Sequence, residues 1–61
     1  MKLKLVRVEK NLTQKDLSKL SGIATKTIIK IEKGDISHIT FGTLKKIADA
    51  VGVEFEKLFL Y

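Results

Sequence analysis

The sequence predicts an all-α fold, a compact bundle of about five helices forming one domain over residues 1–61, and three observations carry that expectation. Proline is absent and only four glycines occur, which leaves few breaks in a chain that keeps helical spacing. Three of those glycines, Gly22, Gly34 and Gly52, stand just beyond apolar runs, where a left-handed residue closes a helix. Thr13 and Asp16 stand at the spacing of a capping box, in which a hydroxyl and a carboxylate satisfy the unpaired amides of a helix start.

Leu3, Val6 and Arg7 fit a first helix ending near Asn11, a residue that tolerates the left-handed conformation. Lys2, Leu3, Lys4 and Leu5 also alternate with period two, which leaves an edge strand open for residues 2–8. A second helix begins at Thr13, buries Leu17 and Leu20, and stops near Ser21 ahead of Gly22. After Ile23 a third carries Ile28 and Ile31 and stops at Gly34. Residues 13–33 therefore read as helix, tight glycine turn, helix. Thr40 can cap a fourth helix, whose stripe of Leu44, Ile47, Ala48 and Val51 follows the spacing of an amphipathic face, with Gly52 closing it. A short fifth helix from about Glu54 puts Phe55, Leu58 and Phe59 on one side. The expected core joins Phe41, Leu44, Ile47, Val51, Val53, Phe55 and Leu58 to Leu17, Leu20, Ile28 and Ile31.

A chain of 61 residues buries only about 60% of its unfolded surface, so its stability is marginal. Cysteine is absent and His38 is the sole histidine, so neither disulfides nor a cysteine-and-histidine zinc site can add to it. No apolar stretch approaches the roughly 18 residues that cross a bilayer, and no targeting peptide is visible, so the expected location is the cytoplasm and not a membrane. An enzyme requires a nucleophile beside a base, a carboxylate pair in a cleft, or metal ligands, and none has a recognisable spacing. So small a helical chain also leaves little room for a pocket of several hundred cubic ångströms. No cofactor is expected.

The formal charge of +5 is unevenly placed. Residues 1–33 carry nine basic against three acidic side chains, and the remainder three against four. Clustered positive charge in the first half suits a polyanionic partner, although a lysine-solvated surface gives the same count.

From Arg7 to Phe59 the chain resembles the lambda-repressor-like, Xre/Cro-type helix-turn-helix family. The matching residues are Arg7, Thr13, Gln14, Leu17, Gly22, Ile23, Ile28, Ile31, Glu32, Gly34, Thr43, Leu44, Ile47, Ala48, Ala50, Val51 and Val53. The resemblance implies a DNA-binding domain, usually dimeric on DNA, whose second motif helix (about 24–33) enters the major groove of double-stranded DNA. The chain departs from the pattern in three places. Ala24 replaces a capping serine, which costs about 1 kcal/mol unless the cap moves to Thr25. Ile39 replaces a proline and Gly42 sits in the fourth helix's first turn, which loosens that helix's start. Ile29 is apolar at a typically polar position; it is a partly covered surface residue or a contact for a thymine methyl or a partner.

The resemblance and the helical period together assign roles. Thr25, Lys26 and Lys30 lie opposite Ile28 and Ile31 and are the candidates for reading bases, with phosphate contact the alternative for the lysines. Gln14, Ala24, Thr27, Lys33 and Thr40 are candidates for the phosphate backbone, and in the family the glutamine also braces the recognition helix. Arg7 and Glu32 resemble a structural ion pair tying the first helix to the recognition helix. The apolar end, with Phe55, Leu58, Phe59, Leu60 and Tyr61, either joins two copies into a homodimer or packs on its own core. A dimer implies a palindromic operator with half-sites about 34 Å apart. A transcriptional regulator, above all a repressor, is the function expected. A protein-binding module of the same fold, such as an antitoxin or a partner of another regulator, is the alternative.

Overall fold

The computed structural model describes residues 1–60, which form five helices: α1 (Leu3–Glu9), α2 (Gln14–Ser21), α3 (Thr25–Glu32), α4 (Phe41–Val51) and α5 (Phe55–Phe59). No strand occurs among the described residues. In α1, Leu3 and Arg7 point inward four residues apart while Leu5 and Val8 stay exposed, so the period-two alternation of the first residues does not correspond to a sheet face. The helix is tied to the far end of the chain by its backbone, since the Lys2 N–H donates to the Leu58 carbonyl at 2.8 Å.

Each of the first four helices ends where a residue can turn left-handed. Asn11, at φ 58°, lets the Leu12 N–H reach back to the Arg7 carbonyl at 3.1 Å, closing α1. Gly34, at φ 87°, does the same for α3, with the Asp35 N–H on the Lys30 carbonyl at 3.0 Å. The starts of α2 and α4 are held by Thr13 and Thr40, and Thr13 with Asp16 forms a complete capping box. With Ile39 and not a proline before it, α4 starts on the Thr40 side-chain cap.

α2 packs against both α3 and α4, and α5 packs against α4 and α1, around a core of Leu3, Leu17, Ile28, Ile31, Leu44, Ile47, Ala48, Val51 and Leu58. Two residues expected in that core lie outside it. Leu20 is 60% exposed, because the inward side of α2 is occupied by Leu17 together with Ser18 and Ser21, which lie along its helical row. Phe41 is 62% exposed, because it is the first residue of α4 and sits past the end of the core, tilted against Phe55 with ring centroids 4.7 Å apart. Val53 and Phe55 are half-buried and pack on the core from its edge.

The glycines divide into two kinds, with opposite expected responses to a methyl group. Gly42 has no left-handed backbone, and a Cβ there would meet only the Thr40 hydroxyl at 3.9 Å. Gly42→Ala is therefore expected to stabilise by about 0.5–1 kcal/mol through a less flexible unfolded chain. Gly34→Ala, at φ +87°, is expected to destabilise by about 1–2 kcal/mol. Thermal melts of the two variants check this, since about 1 kcal/mol moves a domain of this size by roughly 4–8 °C.

Candidate nucleic-acid interface

The turn between α2 and α3 is built by hydroxyl groups as much as by its glycine. Gly22 is left-handed at φ 75°, and its N–H donates to the Ser18 carbonyl at 2.9 Å. The Ser18 hydroxyl donates to the Ile23 carbonyl at 2.6 Å, and the Ile23 N–H donates to Ser21 Oγ at 3.2 Å. Ser21 in turn donates to the Leu17 carbonyl at 2.8 Å. These serines were missing from the residues singled out in the sequence. Two serines in the last turn before a capping glycine are the signal that could have found them, because short hydroxyl side chains bond nearby backbone.

This turn delivers α3 with one face inward. Ile28 and Ile31 are completely buried, while Lys26, Lys30 and Lys33 form an exposed row at spacings of four and three. Thr25, Thr27 and Ile29 are half-buried along the edges of that row. Ala24 is the N-cap residue and makes no side-chain bond; the cap does not move to Thr25, which is already the first residue of the helix. An eight-residue helix is about 12 Å long, comparable with the width of the B-DNA major groove.

Three helices meet behind this face at a single carboxylate. Arg7 Nε donates to Glu32 Oε2 at 2.6 Å and Nη2 donates to Oε1 at 3.1 Å, a two-pronged ion pair whose side chains are only 10% and 4% exposed. Arg7 Nη1 donates to the Leu12 carbonyl at 2.7 Å. Gln14 Nε2 donates to Glu32 Oε1 at 3.0 Å, an orientation of the amide that the acceptor-only carboxylate dictates. Gln14 thus braces α3, and one amide hydrogen remains for an outside acceptor at the start of α2. Thr40 lies at the start of α4, where its oxygen accepts from the Thr43 N–H at 3.2 Å.

Burial works to raise the Glu32 pKa, but the hydrogen bonds of Arg7 and Gln14 and the charges of Arg7 and Lys4 outweigh it and hold the carboxyl below its ordinary 4.5. Asp16 is also held below its ordinary 3.8, by its bonds with the Thr13 backbone and hydroxyl. The cationic face of α3 is consequently not offset by Glu32, whose charge is matched by Arg7.

Away from this face lies a cluster of tilted aromatic rings, Phe41, Phe55 and Phe59, with Phe55 and Phe59 centroids 5.2 Å apart, and an exposed Leu60 follows it in the chain. Leu58 is completely buried and cannot meet a second copy, and Phe55 and Phe59 are half-buried against their own core. The reading of the whole apolar end as a dimer contact is therefore reduced to its exposed part; Tyr61 lies outside the described residues. An open groove of about 380 Å³ runs between the end of α4 and the start of α5, lined in part by Lys45, Asp49, Glu54 and Glu56, so the small chain does have a concavity of that order. No cluster of metal-ligating side chains occurs among the described residues, and no helix among them is long and apolar enough to cross a membrane.

Removing one partner of the buried pair leaves a charge uncompensated, so Arg7→Ala is expected to cost about 3–5 kcal/mol. The paired change Arg7→Met with Glu32→Leu is expected to cost much less, as measured by thermal melts. Because the folded pKa of Glu32 lies below the unfolded one, the stability it contributes is complete above about pH 4.5 and is lost as pH falls through the folded value. The melting temperature should therefore be level from pH 7 to 5 and fall in more acid solution. Glu32→Gln should lower it at pH 7 and weaken the acid slope; an unchanged slope would refute this assignment.

The helix-turn-helix family matches residues 3–58 of the chain. An uncharacterized HTH-type transcriptional regulator of Methanocaldococcus jannaschii is 45% identical over 60 residues, which cover 98% of this chain and 89% of that protein. A glutamine–fructose-6-phosphate aminotransferase [isomerizing] of the same organism is 40% identical over 57 residues, 93% of this chain but only 5% of the aminotransferase, so that likeness concerns one small segment of it. No solved structure matches the chain significantly. With a complete helix-turn-helix, its bracing ion pair and a five-helix core, the chain belongs to the lambda-repressor-like, Xre/Cro-type helix-turn-helix family of DNA-binding transcriptional regulators.

Proposed function

We propose that this protein is a sequence-specific repressor that binds double-stranded DNA with α3 in the major groove and works in the cytoplasm. The observation that carries the proposal is the row Lys26, Lys30 and Lys33, exposed on the face of α3 opposite the buried Ile28 and Ile31. Such a row can neutralise phosphates and offer donors to guanine O6 and N7. Thr25, Lys26 and Lys30 read bases, Thr25 standing at the leading end of the helix. Gln14, Thr27, Lys33, Thr40 and the backbone at Ala24 hold phosphates, with the positive ends of α2 and α4 adding attraction. Repression demands only occupancy of a site that polymerase needs.

Two copies pair through the exposed apolar surface around Leu60 and the cluster of Phe41, Phe55 and Phe59, and meet a palindromic operator. The exposed Phe41 and Leu60, beside the half-buried Phe55 and Phe59, suit a self-complementary contact. Sedimentation of the free protein and of its DNA complex checks this, with a Phe41→Ser variant expected to shift the dimer toward monomer. A monomer at every concentration, free and on DNA, would exclude it.

The reading is tested by selecting bound duplexes from a random pool and titrating the winner at several salt concentrations. A palindromic motif is expected, with affinity falling steeply with salt because each phosphate contact releases counterions. Lys26→Ala and Lys30→Ala are each expected to weaken the selected site by roughly tenfold or more and to relax its sequence preference. If no motif is enriched, the fold serves as a protein-binding module.

A further inference from the structure

We infer that Ile29 is a specificity-determining residue, reading the 5-methyl group of a thymine in the half-site under α3. The inference rests on the DNA-binding reading above and adds to it the chemical identity of one base.

Three observations lead to it. Ile29 is half-buried, yet unlike Ile23 and Ile39 it does not pack against the core. It lies three residues after Lys26, four before Lys33 and four after Thr25, which sets it on the flank of the cationic row. The one carboxylate of α3, Glu32, is held by Arg7 and Gln14 and faces the protein, leaving that flank free of negative charge.

A duplex seated against Lys26, Lys30 and Lys33 would bring the floor of the major groove to this isoleucine. Of the four bases, only thymine presents an apolar group there, the methyl on C5. Every other edge offers a donor or acceptor that Ile29 would desolvate without bonding, which penalises those bases as well as favouring thymine. The lysines alone discriminate weakly, being mobile point charges without a fixed fork. A branched apolar side chain among them supplies a preference that they cannot.

The experiment is a deoxyuridine scan of the selected operator, replacing one thymine at a time and removing only its methyl group. Wild-type protein is expected to lose roughly fourfold in affinity at one thymine of each half-site, the equivalent of one buried methyl group. Ile29→Ala should bind the parent operator about that much more weakly and show no further loss on deoxyuridine, whereas Lys26→Ala should bind more weakly still while keeping the thymine preference. Because Ile29 makes no core contact, Ile29→Ala should melt close to wild type, which separates a recognition defect from an unfolded protein. A flat scan, or a variant that still prefers thymine at that position, overturns the inference while leaving DNA binding intact. Failure to enrich any DNA overturns the reading beneath it, and this one with it.

Discussion

Arg7 occupies the point at which three helices need one another. Its guanidinium spans the Glu32 carboxylate at the end of α3 and the Leu12 carbonyl just before α2, and Gln14 reaches the same carboxylate from the first turn of α2. Neither α2 nor α3 exceeds eight residues, too short to persist alone in water. Their angle is therefore set by what holds their ends together. A buried ion pair contributes little net stability, because desolvation consumes most of the attraction. Its value here is geometric: a two-pronged, hydrogen-bonded pair fixes direction in a way that the apolar contacts of Ile28 and Ile31 alone do not.

The same arrangement determines the electrostatic character of α3. Lys26, Lys30 and Lys33 project from one side, and the acid that follows them along the helix is withdrawn into the interior and matched by Arg7. Structural support and binding chemistry are separated in this way onto opposite faces of two helical turns. The turn before α3 follows the same logic, since Ser18 and Ser21 spend their hydroxyls on backbone within the protein. What remains outside is lysine, threonine and one isoleucine.

Much of the fold was legible because its signals are local. The caps at Thr13 and Thr40 and the left-handed residues Asn11, Gly22, Gly34 and Gly52 act within a few positions of themselves, and the structure uses each of them where spacing placed it. Leu20 and Phe41 were not legible as exposed, because hydrophobicity says nothing about whether a partner reaches that side of a helix or its first residue. Ser18 and Ser21 before Gly22 marked local backbone bonding, but that the Ser18 hydroxyl takes the Ile23 carbonyl depends on where the chain goes after Gly22. Period alone placed Lys26, Lys30 and Lys33 outward on α3, but Thr25, expected beside them, is half-buried at the edge of their row, and period does not tell a base contact from a phosphate contact.

The sequence by itself determined four of the five helices, the caps that start α2 and α4, the left-handed residues that close α1 to α4, and which side of α3 faces in, because capping and periodicity are written within a turn or two; it left residues 2–8 open between helix and strand. Tertiary structure decided which lone charges become partners and which apolar side chains stay wet. Arg7 finds Glu32 across 25 residues, and the Lys2 N–H finds the Leu58 carbonyl across nearly the whole chain. Ile29 is left on the surface while Ile28 and Ile31 are lost inside. Those outcomes depend on the simultaneous packing of all five helices, and no local window of residues contains that information.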